Sequence, residues 1–376
     1  VRADRRRQVA SALAVALCVA LAGAPASDAQ SEPSTAVVPS TFFGVAPQSS
    51  LTDADFGRMA QGRVGTLRIL LNWSSIDATP AGDNNWSTID PIVAAAARNG
   101  ITVLPFVFGT PQWVVNNLDH RSCQQPACVL FAPSGPAALA EWQRFLREAV
   151  ERYGPGGEFF TQNPSLPVVP ITDWQLWNEQ NSFSFYKPKV DVNSYANLVR
   201  AGSEAIRSVD PTAKILLGGM FGTPEGLENP KVFAWNYLRK LYRVPGIAAS
   251  FDGVAVHPYA ARMTKVIEQT TLMHREMVRA HDPAEMWITE VGWSSSTGGN
   301  PLERGKRGQA SRLRDVMKYF IGHAAALNVQ NVTWFAWRDL AGEPICQWCA
   351  KAGLFDAAAL NAKPAWNSLM AYTGGS

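Results

Sequence analysis

The sequence predicts an α/β protein folded as a single (β/α)8 TIM barrel with loop insertions at the C-terminal face, and three observations carry the reading. Short β-rich runs recur eight times, each ending in small, polar or aromatic residues, and stretches with helical apolar spacing stand between them. Removing the first 29 residues leaves about 347, a comfortable length for one barrel. No Ser/Gly/Pro linker follows residue 40 and no solenoid-period repeat occurs, which favours one domain.

Residues 1–29 read as a secretion signal: Arg2, Arg5, Arg6 and Arg7 precede an apolar run from about Val9 to Ala22. Two small-x-small patterns follow, Ala24-Pro25-Ala26 and Ser27-Asp28-Ala29. The run is short for a bilayer span, so a membrane anchor is the weaker reading. Cys18 follows Leu17 rather than a small residue, which argues against lipid attachment there. Residues 30–40 are expected to be a linker and 41–376 the barrel domain. The β-runs are Thr41 to Val45, Thr66 to Leu71, Thr102 to Val107, Asp173 to Trp177, Ile215 to Gly219, Phe251 to Val256, Met286 to Thr289, and Val332 to Trp337. Helical stretches are Asp90 to Asn99, Ala137 to Tyr153, Ser194 to Val209, Val232 to Leu241, Met263 to His281, and Gly308 to Leu327. A doubly wound open sheet shows the same local alternation; the count of eight suits closure.

Cleavage after Ala29 takes the 34 basic and 31 acidic residues to 30 and 29. Such balance gives no reason to expect a nucleic acid or a membrane surface as partner. The expected protein is a secreted monomer, extracellular or periplasmic. With Cys18 in the leader, Cys123, Cys128, Cys346 and Cys349 remain, an even number that suits two disulfides in an oxidising compartment. Local pairs lead, and the cross-connectivities or a four-thiolate zinc site are the alternatives.

Two carboxylates end buried β-runs, where a charge is costly unless something uses or pairs it. Glu179 lies in Trp177-Asn178-Glu179-Gln180-Asn181, and Glu290 in Trp287-Ile288-Thr289-Glu290-Val291-Gly292-Trp293. They close the fourth and seventh runs, whose ends face one cleft in a parallel barrel. Glycosidic hydrolysis with retention needs two carboxyl groups about 5 to 5.5 Å apart, one attacking the anomeric carbon and one protonating the departing oxygen. A single carboxylate at a strand end is often structural, but the pair in these contexts points to catalysis. Arg68 on the second run could hold Glu290 ionised, with a plain salt bridge as the competing account. In His257-Pro258-Tyr259, closing the sixth run, an imidazole N–H or a Tyr hydroxyl could reach the same carboxylate; a satisfied core histidine is the alternative. Thirteen tryptophans is a high count, and sugar rings stack on such faces; Trp337, Trp113 and Trp293 are the candidates.

Trp-Asn-Glu on the fourth strand and Ile-Thr-Glu-x-Gly-Trp on the seventh resemble clan A of the retaining barrel glycoside hydrolases, over nearly the whole chain after the leader. Families 39 and 5 are the most similar. The resemblance implies that Glu179 is the acid/base, that Asn178 holds the substrate 2-hydroxyl and that Glu290 forms a glycosyl ester. It also implies that Trp337 floors the subsite of the sugar being cleaved. Where the clan commonly has Asn-Glu-Pro-Asn, this chain has Asn178-Glu179-Gln180-Asn181. The expected substrate is an oligo- or polysaccharide with β-linkages, cut in endo fashion because no obvious domain blocks one end of the cleft.

No metal or organic cofactor is expected. His120, His257, His274, His281 and His323 are scattered, unlike the clustered histidines of metal-dependent barrel hydrolases. No Gly-x-Ser-x-Gly, P-loop or dinucleotide fingerprint occurs. A transglycosylase or an exo-glycosidase would share the scaffold. A non-catalytic sugar-binding barrel would tolerate loss of a carboxylate, and both are present.

Overall fold

The structure, a computed structural model, describes residues 38–223, 232–342 and 346–375, all within one compact unit. The expected secretion signal, and the expected linker up to residue 37, lie outside the described residues.

The chain opens with β1 (Phe43–Ala46), α1 (Asp53–Gln61), β2 (Thr66–Asn72), α2 (Trp73–Ile76), α3 (Asp90–Arg98) and β3 (Thr102–Phe108). It continues through α4 (Pro136–Tyr153), α5 (Glu158–Gln162), β4 (Asp173–Leu176), α6 (Val192–Val209), β5 (Lys214–Leu217) and β6 (Met220–Phe221). The last part is α7 (Ala234–Leu241), β7 (Gly253–His257), α8 (Met263–Arg279), β8 (Glu285–Val291), α9 (Gly305–Leu327), β9 (Val329–Phe335) and α10 (Pro364–Thr373).

Every strand pairing is parallel, and a β5–β7 pairing closes the ring, so eight strands form a barrel with β6 appended to β7. Closure removes the open-sheet alternative. All eight expected β-runs overlap the barrel strands, as do the six helical stretches with the major helices, because strands covered on both faces read as apolar runs. Helices α1 and α10 went unread. The nine residues of α1 carry only Phe56 and Met59 as apolar core contacts, too few to mark a period.

Period-two alternation sends every second side chain inward. Leu104, Leu216, Ala255 and Trp287 form an apolar plug low in the barrel. Above it lies a polar tier. Arg68 Nε donates to Gln175 Oε1 at 2.7 Å, Gln175 Nε2 donates to Thr289 Oγ1 at 3.2 Å, and Thr289 Oγ1 meets His257 Nε2 at 3.0 Å. These bonds satisfy buried polar groups that would otherwise be expensive, and they fix the side chains on which the mouth is built.

Two short loops are closed by disulfides, Cys123–Cys128 with Cα atoms 5.4 Å apart and Cys346–Cys349 at 5.3 Å. The local pairing therefore holds over the cross-connectivities and the zinc site. No helix among the described residues is long and apolar enough to cross a membrane.

Candidate active site

In a regular strand, Asn178 and Glu179 would point to opposite faces, as would Thr289 and Glu290. Both pairs instead face the barrel mouth, because each strand breaks its alternation there. β4 ends at Leu176, and the next turn carries positive φ at Trp177 (76°) and Glu179 (45°). Such backbone is unfavourable for a non-glycine residue and persists only where packing over-determines it. The Trp177 ring, held 4.7 Å from Phe108 and 5.8 Å from Tyr186 with its N–H on the Phe185 carbonyl, supplies that packing. On β8 a register irregularity between Ile288 and Val291 serves the same purpose for Glu290.

The carboxylates meet across the mouth. One oxygen of Glu179, one of Glu290 and a ring nitrogen of His257 all lie within 4.8 Å of one another. Glu290 is held from two sides: Arg68 Nη1 donates to Oε1 at 2.7 Å and the Tyr259 hydroxyl donates to Oε2 at 2.8 Å. Arg68 Nη2 also donates to Asn178 Oδ1 at 2.8 Å, which leaves the Asn178 NH2 as the group free to serve a ligand. His257 departs from expectation. Its Nδ1 lies 2.8 Å from Glu179 Oε1 but 3.7 Å from Glu290 Oε2, because its other nitrogen is anchored to Thr289.

These partners push the two carboxyl groups apart in acidity. Burial raises Glu179 most, and the charge of Glu290 adds to it, outweighing the His257 bond. Burial works the same way on Glu290 but is overcome by His257, Arg68 and the Tyr259 hydroxyl, so its pKa falls below the ordinary carboxylate range. Tyr259 is itself pushed well up, by burial and then by Glu290, and stays a donor. Among the described residues, Glu179, His257 and Glu290 are the one cluster with metal-ligand spacing. Both Glu290 oxygens are already accepting, and a guanidinium stands beside them, an environment better suited to proton transfer and nucleophilic attack than to a cation.

The structure does not bring the three candidate tryptophans together at the carboxylates. Trp337 is fully buried, its N–H 2.7 Å from Asp55 Oδ1 and its ring packed on Phe355 and Trp366, so no face is open to a sugar. It follows the end of β9, where the strand's alternation no longer governs direction. Trp293 is also fully buried, with its N–H on the Ala260 carbonyl and its ring on Trp334. Trp113 is half-buried, its N–H on the Asp77 carbonyl. Other surfaces line the mouth, and of these Leu70, Phe106 and Phe335 were missed by sequence reasoning. Leu70, two residues past Arg68 on the same face of β2, is 40% exposed, and half-buried Phe106 lies 4.0 Å under the Arg68 guanidinium. Phe335 at the end of β9 and Trp348 in the Cys346–Cys349 loop flank Tyr259, with ring centroids 6.5 and 5.1 Å from it. Inward alternation from Arg68 was the signal available for Leu70, and for Trp348 the signal was its place in a cysteine-closed loop after the eighth β-run.

Fold and site thus define a closed parallel (β/α)8 barrel with an asymmetric carboxylate pair at the C-terminal ends of its fourth and seventh barrel strands. The sequence matches no protein-family model and no curated protein. Solved structures of similar fold include a family 39 glycoside hydrolase from the gut symbiont Bacteroides cellulosilyticus WH2, at 17% identity and TM-score 0.62. That alignment covers 89% of this chain and 64% of the other, so this chain spans just under two thirds of that protein's length. A monomeric beta-xylosidase from Caulobacter crescentus CB15 aligns at 16% identity and TM-score 0.60, over 89% of this chain and 69% of that one. GH5_18 from Streptomyces cattleya, in complex with GlcNAc, aligns at 16% identity and TM-score 0.63, over 90% and 80%. At such identities the likeness is one of fold.

Proposed function

We propose that this chain is a secreted glycoside hydrolase that cleaves β-linked glycans by double displacement, with endo action preferred. The observation that carries the reading is the pair Glu179 and Glu290: two carboxyl groups across one mouth, within 4.8 Å at their nearest described atoms, shifted in opposite directions by different partners. That spacing suits the direct attack of a retaining enzyme better than the wider separation an inverting enzyme keeps for its water.

In the first step a Glu290 oxygen attacks the anomeric carbon while the bond to the leaving oxygen breaks and the Glu179 proton moves onto that oxygen. His257 pairs with Glu179 Oε1 and so leaves Oε2 to face the bond being cut. The product is a glycosyl ester of Glu290. Esterification removes the negative charge that helped to raise Glu179, whose pKa then falls. Glu179 can now take a proton from water as that water attacks the anomeric carbon and releases Glu290. Throughout, the Asn178 NH2 is placed to hold the 2-hydroxyl, oriented by Arg68.

The test is a panel of activated β-glycosides and polysaccharides with product anomer followed by NMR. Retained configuration in the first-formed product is expected, and inversion overturns the mechanism. Glu290→Gln should lose turnover by on the order of 10³-fold or more with folding retained. Glu179→Ala should still form the ester from substrates with good leaving groups, hydrolyse it slowly, and recover turnover when azide is added. Residues 1–29 support export; amino-terminal sequencing of protein from the culture medium should begin at Gln30.

A further inference from the structure

A separate cavity of about 460 Å³, within the roughly 300–1,000 Å³ range of small-ligand sites, is lined by neither carboxylate but shares Tyr259, whose hydroxyl binds Glu290, with the mouth. Four aromatic residues line one part of it: Phe221 on β6, Phe233 just before α7, Trp235 in the first turn of α7, and Tyr259. None of Phe221, Phe233 and Trp235 is fully buried, and the last two rings meet at 5.2 Å with a tilt of 55°. Phe221 lies 5.9 Å from Tyr259, the ring whose hydroxyl binds Glu290. Lys265 and Glu268 of α8 add polar groups at the rim.

The wall is tied to the acid/base. Asn181, two residues past Glu179, accepts from the Phe221 N–H at 2.9 Å and donates to the carbonyls of Phe221 and Val232 at 2.7 and 2.8 Å. The Glu179 N–H donates to the Gly219 carbonyl at 3.0 Å, immediately before β6.

Topology says which part of a substrate meets this wall. A line from Glu179 after β4 to Glu290 on β8 divides the mouth into one half over β9, β1, β2 and β3 and another over β5, β6 and β7. Asn178 is bonded to Arg68 of β2 and so belongs to the first half. A sugar with its anomeric carbon at Glu290 and its 2-hydroxyl at Asn178 occupies that half, over Leu70 and Phe106, and its leaving group departs over the second.

We propose that the Phe221–Phe233–Trp235 cavity is the subsite for the leaving-group sugar, which stacks on Trp235 and makes chain interiors better substrates than single sugars. The inference rests on the glycosidase reading. It is tested with β-fluorides of xylose, glucose and galactose, whose leaving group is too small to reach the cavity, against β-linked tetrasaccharides of the same sugars. The readout is the ratio of kcat/KM for tetrasaccharide to that for fluoride, in the configuration the wild type accepts. Trp235→Ala should lower this ratio tenfold or more, and Trp235→Phe should restore most of it. Both substrates are measured on one preparation, so a misfolded fraction cancels. An unchanged ratio with either substrate still turned over overturns the subsite and leaves the glycosidase reading standing. Failure of the wild type to turn over any of the six compounds overturns both.

Discussion

Arg68 organises the chemistry at the scale of single residues. One guanidinium holds the Glu290 oxygen, fixes the Asn178 amide and binds Gln175 below, so a single side chain sets charge, orientation and support together. Activity needs Glu290 ionised and Glu179 protonated. The rate therefore falls as pH drops through the Glu290 pKa and again as pH rises through that of Glu179. With Glu290 lowered and Glu179 raised, kcat/KM should show a bell whose acid limb lies below the ordinary carboxylate range and whose alkaline limb lies above it. Arg68→Met removes a charge that favours the ionised Glu290. The acid limb should then move upward, and by more than the alkaline limb because Arg68 bonds Glu290 but acts on Glu179 only through its charge, so the bell narrows, which a pH–rate profile of the variant reads directly; an unmoved acid limb would show that Arg68 does not set that ionisation. At this scale the sequence disclosed the chemical groups well, because Glu179, Glu290 and Tyr259 stand at or just past strand ends and Arg68 lies inside an apolar strand, places where charge and polarity demand a reason. It disclosed their partners less well. Whether His257 met one carboxylate or the other turned on Thr289, a residue with no pattern of its own.

Elements were legible where their period was long or their faces apolar. The strands of the barrel are covered on both sides and announce themselves as β-branched and aromatic runs, whereas α1, with only Phe56 and Met59 as buried apolar residues, and α10 were silent. Their packing explains why Trp337 offers no face to a sugar. Asp55 of α1 reaches back to the Thr52 N–H at 2.7 Å, accepts the Trp337 N–H at 2.7 Å and lies 3.1 Å from Arg338 Nε. Trp366 of α10 covers the same indole. Trp337 is therefore a bolt between β9 and two peripheral helices, and a periodicity argument confined to β9 had no access to those partners. Asp55→Ala strands a mostly buried arginine and an indole N–H, so it should cost about 3 kcal/mol of folding stability. The midpoint of denaturant unfolding checks this, and a change within experimental scatter would show that the contact is idle.

Across the whole molecule, closure by β5 and β7 makes stability a property of the ring, while the disulfides brace only its rim. The cysteines are separated by five and three positions, so each bond restricts the unfolded chain only slightly, by about 2 kcal/mol in the loop-entropy picture. Reduction should lower the thermal midpoint by a few degrees and leave a single cooperative transition. Its larger effect is expected in KM, because the Cys346–Cys349 loop carries Trp348 against Tyr259. Loss of cooperative unfolding on reduction would assign the bonds a structural weight that their short loops do not suggest.

The distribution of indoles carries a practical consequence. Trp73, Trp142, Trp174, Trp177, Trp293, Trp334 and Trp337 are sealed inside, while Trp235 and Trp348 are among the few with a partly open face, one on each flank of Tyr259. Emission from this protein thus divides into a large shielded share and a smaller solvent-accessible share from Trp86, Trp113, Trp235 and Trp348, of which Trp235 and Trp348 lie near Tyr259. A water-soluble quencher such as acrylamide should extinguish mainly the latter, and a bound glycan should protect the part of it that comes from Trp235 and Trp348. Affinity can therefore be titrated optically, with no label, and on inactive Glu290→Gln protein in which the sugar is held but never consumed.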